Sequence, residues 1–275
     1  MTQEEKLWKQ LLTLIRAVRP LLLYLTMPAM LMMVGMLVWR HGWNSDEFVI
    51  RSGRFYYFAG LLITFLILKR HCKKRGESFA DAASIYPDKI RWKKALVLWG
   101  MGFGISIATS AVLTTVPLPG WLAGNYSSVT ARLYSGNNQF LAVISAVLLV
   151  PVVEEIIFRG YMINRLFQGF GERSAVWISS VIFALCHITP VWIIYALGMG
   201  YFLARTAVKE DNTAYSVFFH MGFNSSTIPL WLIGHNSRAA AFFYGSGLLM
   251  VLYGSIGAVG AGCLYTYYCR EDTVW

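Results

Sequence analysis

Charge is scarce in this chain. Aspartate, glutamate, lysine and arginine make up 14% of its 275 residues, against roughly 25% in a soluble domain. That shortage excludes an ordinary soluble protein of this length. Cysteine is sparse too: Cys72, Cys186, Cys263 and Cys269 are scattered, with no CxxC pair and no disulfide framework. Cys72 falls in the most basic loop, which places it on the reducing, cytosolic side. No low-complexity linker or soluble domain interrupts the apolar blocks. No cleavable signal peptide is expected either, because the first twenty residues are polar-interrupted and the apolar run after them is too long for an h-region.

What fills the space is apolar. Hydrophobic residues make up 56% of the chain, the mean hydropathy is +0.51, and the apolar residues come in long blocks rather than amphipathic stripes. The expected fold is all-α, a polytopic membrane helical bundle of about eight transmembrane segments. Residues 4–19, EEKLWKQLLTLIRAVR, set Leu7, Leu11, Leu14 and Val18 at helical spacing among lysines and arginines. That predicts an interfacial helix over residues 1–20. Spans are predicted at 21–39, 55–68, 94–116, 139–167, 174–188, 190–208, 214–233 and 243–268. Residues 21–138 form an N-terminal set of membrane helices, 139–233 a core that carries the chemistry, and 234–275 a last helix and tail. The fifth span covers only ~22 Å, short of a ~30 Å core. It meets the sixth at HITP with almost no polar loop, which predicts a hairpin turning inside the membrane. The glycine clusters GMGFG (100–104) and GSIGAVGAG (254–262) are expected to let helices approach closely.

A net charge of +10 does not signal nucleic acid here, because the basic residues gather in particular loops. Between predicted spans, eighteen of the 24 lysines and arginines fall on one side, nine of them between Lys69 and Lys94. Arg40, Arg51, Arg54, Arg132 and Arg238 fall on the other, and Arg159 lies within a span. The bias puts both termini in the cytosol.

Residues 152–160, VVEEIIFRG, break the apolar rule. Each charge at the bilayer centre costs at least about 2.5–3.5 kcal/mol, so three within six residues call for a reason. Glu155 and Arg159 are i, i+4 and share a face, which predicts a structural pair. Glu154 is turned ~100° away from them. In FALCH, His187 follows Phe183 by four residues; in HMGFN, His220 and Asn224 are i, i+4. Counted from the cytosolic ends, Glu154 and His187 each lie roughly 21 Å in, with His220 and Asn224 at a comparable or slightly shallower level. The expectation is one cavity open to the cytosol, with Pro151 bending the fourth helix beside it. His41, His71 and His235 fall in predicted loops and carry no such signal.

Two chemistries suit this set. Glu154 can act as general base toward a water held by His187, with His220 and Asn224 donating to the oxyanion of a hydrolysed peptide bond. Alternatively Glu154, His187 and His220 supply the His₂Glu ligand set of a catalytic zinc. The residues alone do not separate a metal-free enzyme from a zinc enzyme.

The three motifs EEIIFR, FALCH and HMGFN fit the EExxxR, FxxxH and HxxxN signatures, in order, of the CPBP family, the CAAX proteases and bacteriocin-processing (Abi) enzymes. The resemblance covers roughly residues 139–233. It implies an all-helical membrane protease whose site faces the cytosol. Glu154 is the implied catalytic acid, Glu155 and Arg159 support its helix, His187 positions water, and His220 with Asn224 forms the oxyanion site. Members of the family have been read as metalloproteases and as metal-free glutamate enzymes; the metal-free reading is preferred here. The implied partners are membrane lipid and a membrane-associated peptide or protein substrate, with no nucleic acid. The Trp, Met and Gly content and compact size suggest a bacterial plasma membrane.

Two other classes compete. A non-catalytic peptide-binding or bacteriocin-immunity protein needs no convergence of an acid, two histidines and an amide. A proton-relaying transporter is disfavoured because the polar groups sit only in the C-terminal half, without paired broken helices.

Overall fold

The computed structural model describes residues 2–38, 45–122, 139–187 and 189–271. Every regular element among them is helical: α1 (Gln3–Val38), α2 (Ser45–Lys74), a short α3 (Phe79–Ala83), α4 (Trp92–Thr115), α5 (Gln139–Leu166), α6 (Glu172–Leu185), α7 (Pro190–Lys209), α8 (Thr213–Ser225), α9 (Thr227–His235), α10 (Ser237–Tyr244) and α11 (Gly247–Glu271). The all-α polytopic expectation therefore holds. Among the described residues, six helices are long and apolar enough to cross a membrane: α1, α2 from Ser52 onward, α4, α5, α7 and α11.

Two of the eight expected spans fall short. The fifth is α6, whose 14 residues rise only ~21 Å. The seventh is broken at Ser226 into α8 and α9. The cause is local. Ser225, Ser226 and Thr227 return their hydroxyls to the carbonyls of Gly222, Phe223 and Asn224, and Pro229 has no N–H to carry the ladder onward.

Two boundaries also move. The predicted interfacial helix and the first span are one helix of 36 residues, continuous through Pro20 and Pro28. Helix α2 runs on through the basic residues to Lys74, so His71 lies in its last turn rather than in a loop. There its cationic neighbours Lys73 and Lys74 complement the negative end of the helix dipole. Arg40, His41, Arg132 and Ile188 lie outside the described residues.

The contacts sort the chain into two units, and the predicted core 139–233 is divided between them. One unit comprises residues 1–87 and 131–213. In it α1 and α2 lie side by side, with Pro28 packed against Gly60, where a Cβ would come within 2.6 Å of the Pro28 backbone. Helices α6 and α7 form the hairpin expected from HITP. Ile163, Val176 and Ala204 bury a contact joining α5, α6 and α7. At the basic end, Ser84 caps α3 in the left-handed region (φ 44°) and accepts a bond from Asn164. Asn212 bonds both the N–H and the carbonyl of Tyr86.

The other unit comprises residues 88–130 and 214–275. Its two glycine clusters meet each other, as their composition predicts. A Cβ on Gly104 or on Gly257 would come within 2.6 Å of the other's carbonyl oxygen, so α4 and α11 pack backbone to backbone. Helix α8 approaches α4 equally closely, Gly102 against Phe219 and Phe223, and Gly222 against Trp99.

Candidate active site

Helix α5 is not a regular helix. Its hydrogen-bond ladder widens to i→i+5 over Ser145–Leu149 and again over Ile156–Met162, with ordinary α geometry at both ends and in the stretch Val150–Glu155 between them. Pro151 sits at the start of that stretch; it lacks an N–H and crowds the preceding turn, a local cause for loosening the ladder there. Such widened turns recur at functional sites. Here they flank the two adjacent glutamates.

Glu155 and Arg159 form the pair that their spacing predicts, Nε to Oε2 at 3.1 Å with neither side chain exposed. Arg159 also donates from Nη2 to the Gly200 carbonyl on α7 at 3.1 Å. Its guanidinium carbon lies 4.2 Å from the centre of the Phe183 ring, a cation–π contact that further offsets burial. Gly200 permits this, since a Cβ there would come within 3.0 Å of Phe183. Phe183 is a junction: its ring meets Phe158 edge-on at 5.1 Å and His187 at 4.8 Å.

His187 stands just beyond the last residue of α6, in the turn leading to α7 rather than on the helix itself. Its Nδ1 lies 2.9 Å from the Phe183 carbonyl oxygen. A carbonyl only accepts, so Nδ1 carries the proton, and in the neutral ring Nε2 presents a lone pair.

Glu154 is 9% exposed. Its Oε1 accepts a hydrogen bond from the hydroxyl of Tyr24, which comes from the middle of α1. Sequence reasoning missed Tyr24. The available signal was its phase: Thr13, Ala17, Leu21 and Tyr24 form the buried stripe of α1, and Tyr24 is the member of that stripe well inside the apolar run that carries a hydroxyl.

His220 and Asn224 belong to the other unit, both on α8. His220 is buried and Asn224 half-buried. Gly222, between them in sequence, faces α4. At 100° per residue the His220 and Asn224 side chains point about 160° from Gly222, away from α4 and toward a common direction.

The zinc reading needs three ligands. Among the described residues, neither unit by itself gathers three His, Cys, Asp or Glu side chains fit to hold a metal. The set named for zinc takes Glu154 and His187 from one unit and His220 from the other, and no step below is routed through a metal.

No curated protein and no solved structure matches the chain. Residues 136–226, about a third of its length, match the family described as type II CAAX prenyl endopeptidase Rce1-like. The match contains Glu154, Glu155, Arg159, His187, His220 and Asn224, and it begins well after Tyr24, since α1 lies wholly outside it. Six candidate spans and this segment agree with the resemblance read from the three motifs: the chain is an integral membrane protein whose residues 136–226 are similar to the Rce1-like, CAAX-protease-type family, consistent with the CPBP family.

Proposed function

We propose that the chain is an intramembrane endopeptidase that hydrolyses a peptide bond in a membrane-associated peptide or protein. The observation that carries this reading is the unequal treatment of two adjacent glutamates. Glu155 is neutralised by Arg159, while Glu154, one residue away, takes a hydrogen bond from Tyr24 of α1 instead. A purely structural role needs one such pair, not a second buried carboxylate beside it.

In this reading Glu154 takes a proton from a water, and the resulting hydroxide oxygen bonds to the scissile carbonyl carbon. The Nε2 lone pair of His187 accepts a hydrogen bond from that water and orients it. By the HxxxN motif, His220 and Asn224 take the role of donors to the oxyanion. As the C–N bond breaks, the proton held by Glu154 passes to the leaving nitrogen. The products are a carboxylate and an amine, and Glu154 is again ionised. The zinc alternative would recruit Glu154, His187 and His220; a chelator that leaves turnover intact separates the two.

The family's description supports a peptide with a prenylated CAAX terminus as the first substrate class to try. The basic bias of the loops supports a cytosol-facing site with both termini on that side. The decisive experiment compares peptides released from cells making the native protein with those from cells making Glu154→Gln at equal membrane abundance. Peptides found only with the native protein support proteolysis. Identical profiles would sink the reading and favour a non-catalytic peptide-binding or immunity protein.

A further inference from the structure

We infer that Tyr24 is a positioning residue for Glu154, a part of the active site supplied by the first helix, outside the Rce1-like segment. The inference rests on the reading of Glu154 as general base and deepens it.

Three observations carry it. The Tyr24 hydroxyl donates to Glu154 Oε1 across 130 residues of sequence. Tyr24 is buried, 9% exposed, on the inner stripe of α1 with Thr13, Ala17 and Leu21. Its helix is pinned where it must be: Pro28, one turn further along, seats on Gly60 of α2, and Gln10 of α1 donates to the Gly169 carbonyl just after α5. The hydroxyl is therefore delivered by a rigid element tied at both ends, not by a mobile loop.

A carboxylate on a flexible glutamate side chain rotates about its last bond, and a general base needs one orientation. A phenolic donor on Oε1 fixes that rotation. The Tyr24 bond occupies Oε1 and so sets the direction of the whole carboxylate. Hydrogen bonds to an ionised acceptor are the strong ones, so the loss of this bond is felt at the base itself.

The test uses the full-length protein in detergent or lipid. Infrared difference spectra of native protein and Glu154→Gln identify the carboxylate stretch of Glu154. Tyr24→Phe, which keeps the ring and removes the donor, is expected to shift that band and to lower the peptide-release rate roughly 10- to 100-fold. Replacing Tyr24 by a ring-fluorinated tyrosine, a stronger donor of the same shape, is expected to shift the band in the opposite sense while preserving release. An unmoved band in both variants overturns the inference. So does a shifted band with unchanged release from Tyr24→Phe. A merely structural tyrosine would alter abundance or unfolding, not the Glu154 band in folded protein. The two failures are distinct: Glu154→Gln retaining release removes the protease reading, whereas Glu154→Gln losing release while Tyr24→Phe changes neither readout removes only the role of Tyr24.

Discussion

Glu155 Oε2 and Arg159 Nε stand 3.1 Å apart, fully buried on consecutive turns of α5, and the adjacent Glu154 takes its hydrogen bond from a helix at the other end of the unit's sequence. One carboxylate is thereby used up in an ion pair, and the other is the one to which the proposed function gives the chemistry.

This division sets the first prediction. Arg159→Met leaves the Glu155 charge buried without its counterion and should destabilise the protein by about 3–5 kcal/mol. Adding Glu155→Leu should recover most of that loss, because an apolar pair of similar volume no longer requires charge compensation. Unfolding by SDS in mixed micelles measures both. If the double variant is as unstable as the single one, the pair is not what Arg159 is for.

The glycine contacts give the second. A Cβ at Gly222 would collide with the Trp99 backbone on α4, whereas nothing lies within 4 Å of a Cβ at Gly260. Gly222→Ala should therefore cost about 1–3 kcal/mol, with Gly260→Ala near neutral. The same unfolding assay separates them, and equal effects would remove the close approach of α4 and α8 as the reason for Gly222.

The third concerns a proton. The Phe183 carbonyl fixes the proton of His187 on Nδ1. Nitrogen-15 spectra of histidine-labelled protein, assigned by loss of signal in His187→Gln, should show the Nδ1–H tautomer at pH values where the ring is neutral. An Nε2–H tautomer would reverse which nitrogen faces the water and would withdraw the role given to His187.

Much of this was legible in the chain itself. Polarity inside apolar runs is costly, so EEIIFR, FALCH and HMGFN stood out, and the two glycine clusters declared a close contact before any partner was known. Tyr24 was not legible in the same way. A tyrosine in an apolar segment reads as belt or core, and periodicity within one helix says nothing about which distant helix it meets. The break at Ser226 was hidden by averaging, since a hydropathy window passes over three hydroxyl residues flanked by apolar ones. The run Ser225–Ser226–Thr227 followed by Pro229 was the available sign. The continuity of α1 through Pro20 was missed because proline marks a boundary in most helices. Here Thr13, Ala17, Leu21 and Tyr24 keep one buried stripe running across Pro20.

The widened turns of α5 have a further consequence, for how this helix tolerates change. Each widened turn holds one residue more than a regular turn over the same stretch of ladder. Shortening Ile156–Met162 by one residue lets the widened turn close to a regular one, so side chains beyond the turn keep their direction and the helix still crosses the bilayer. The disturbance is confined to the turn itself, where Arg159 would lose its spacing to Glu155. The helix is forgiving of a lost residue as a whole and strict only within the turn that carries Arg159, so such a deletion should spare membrane integration while disturbing the ion pair.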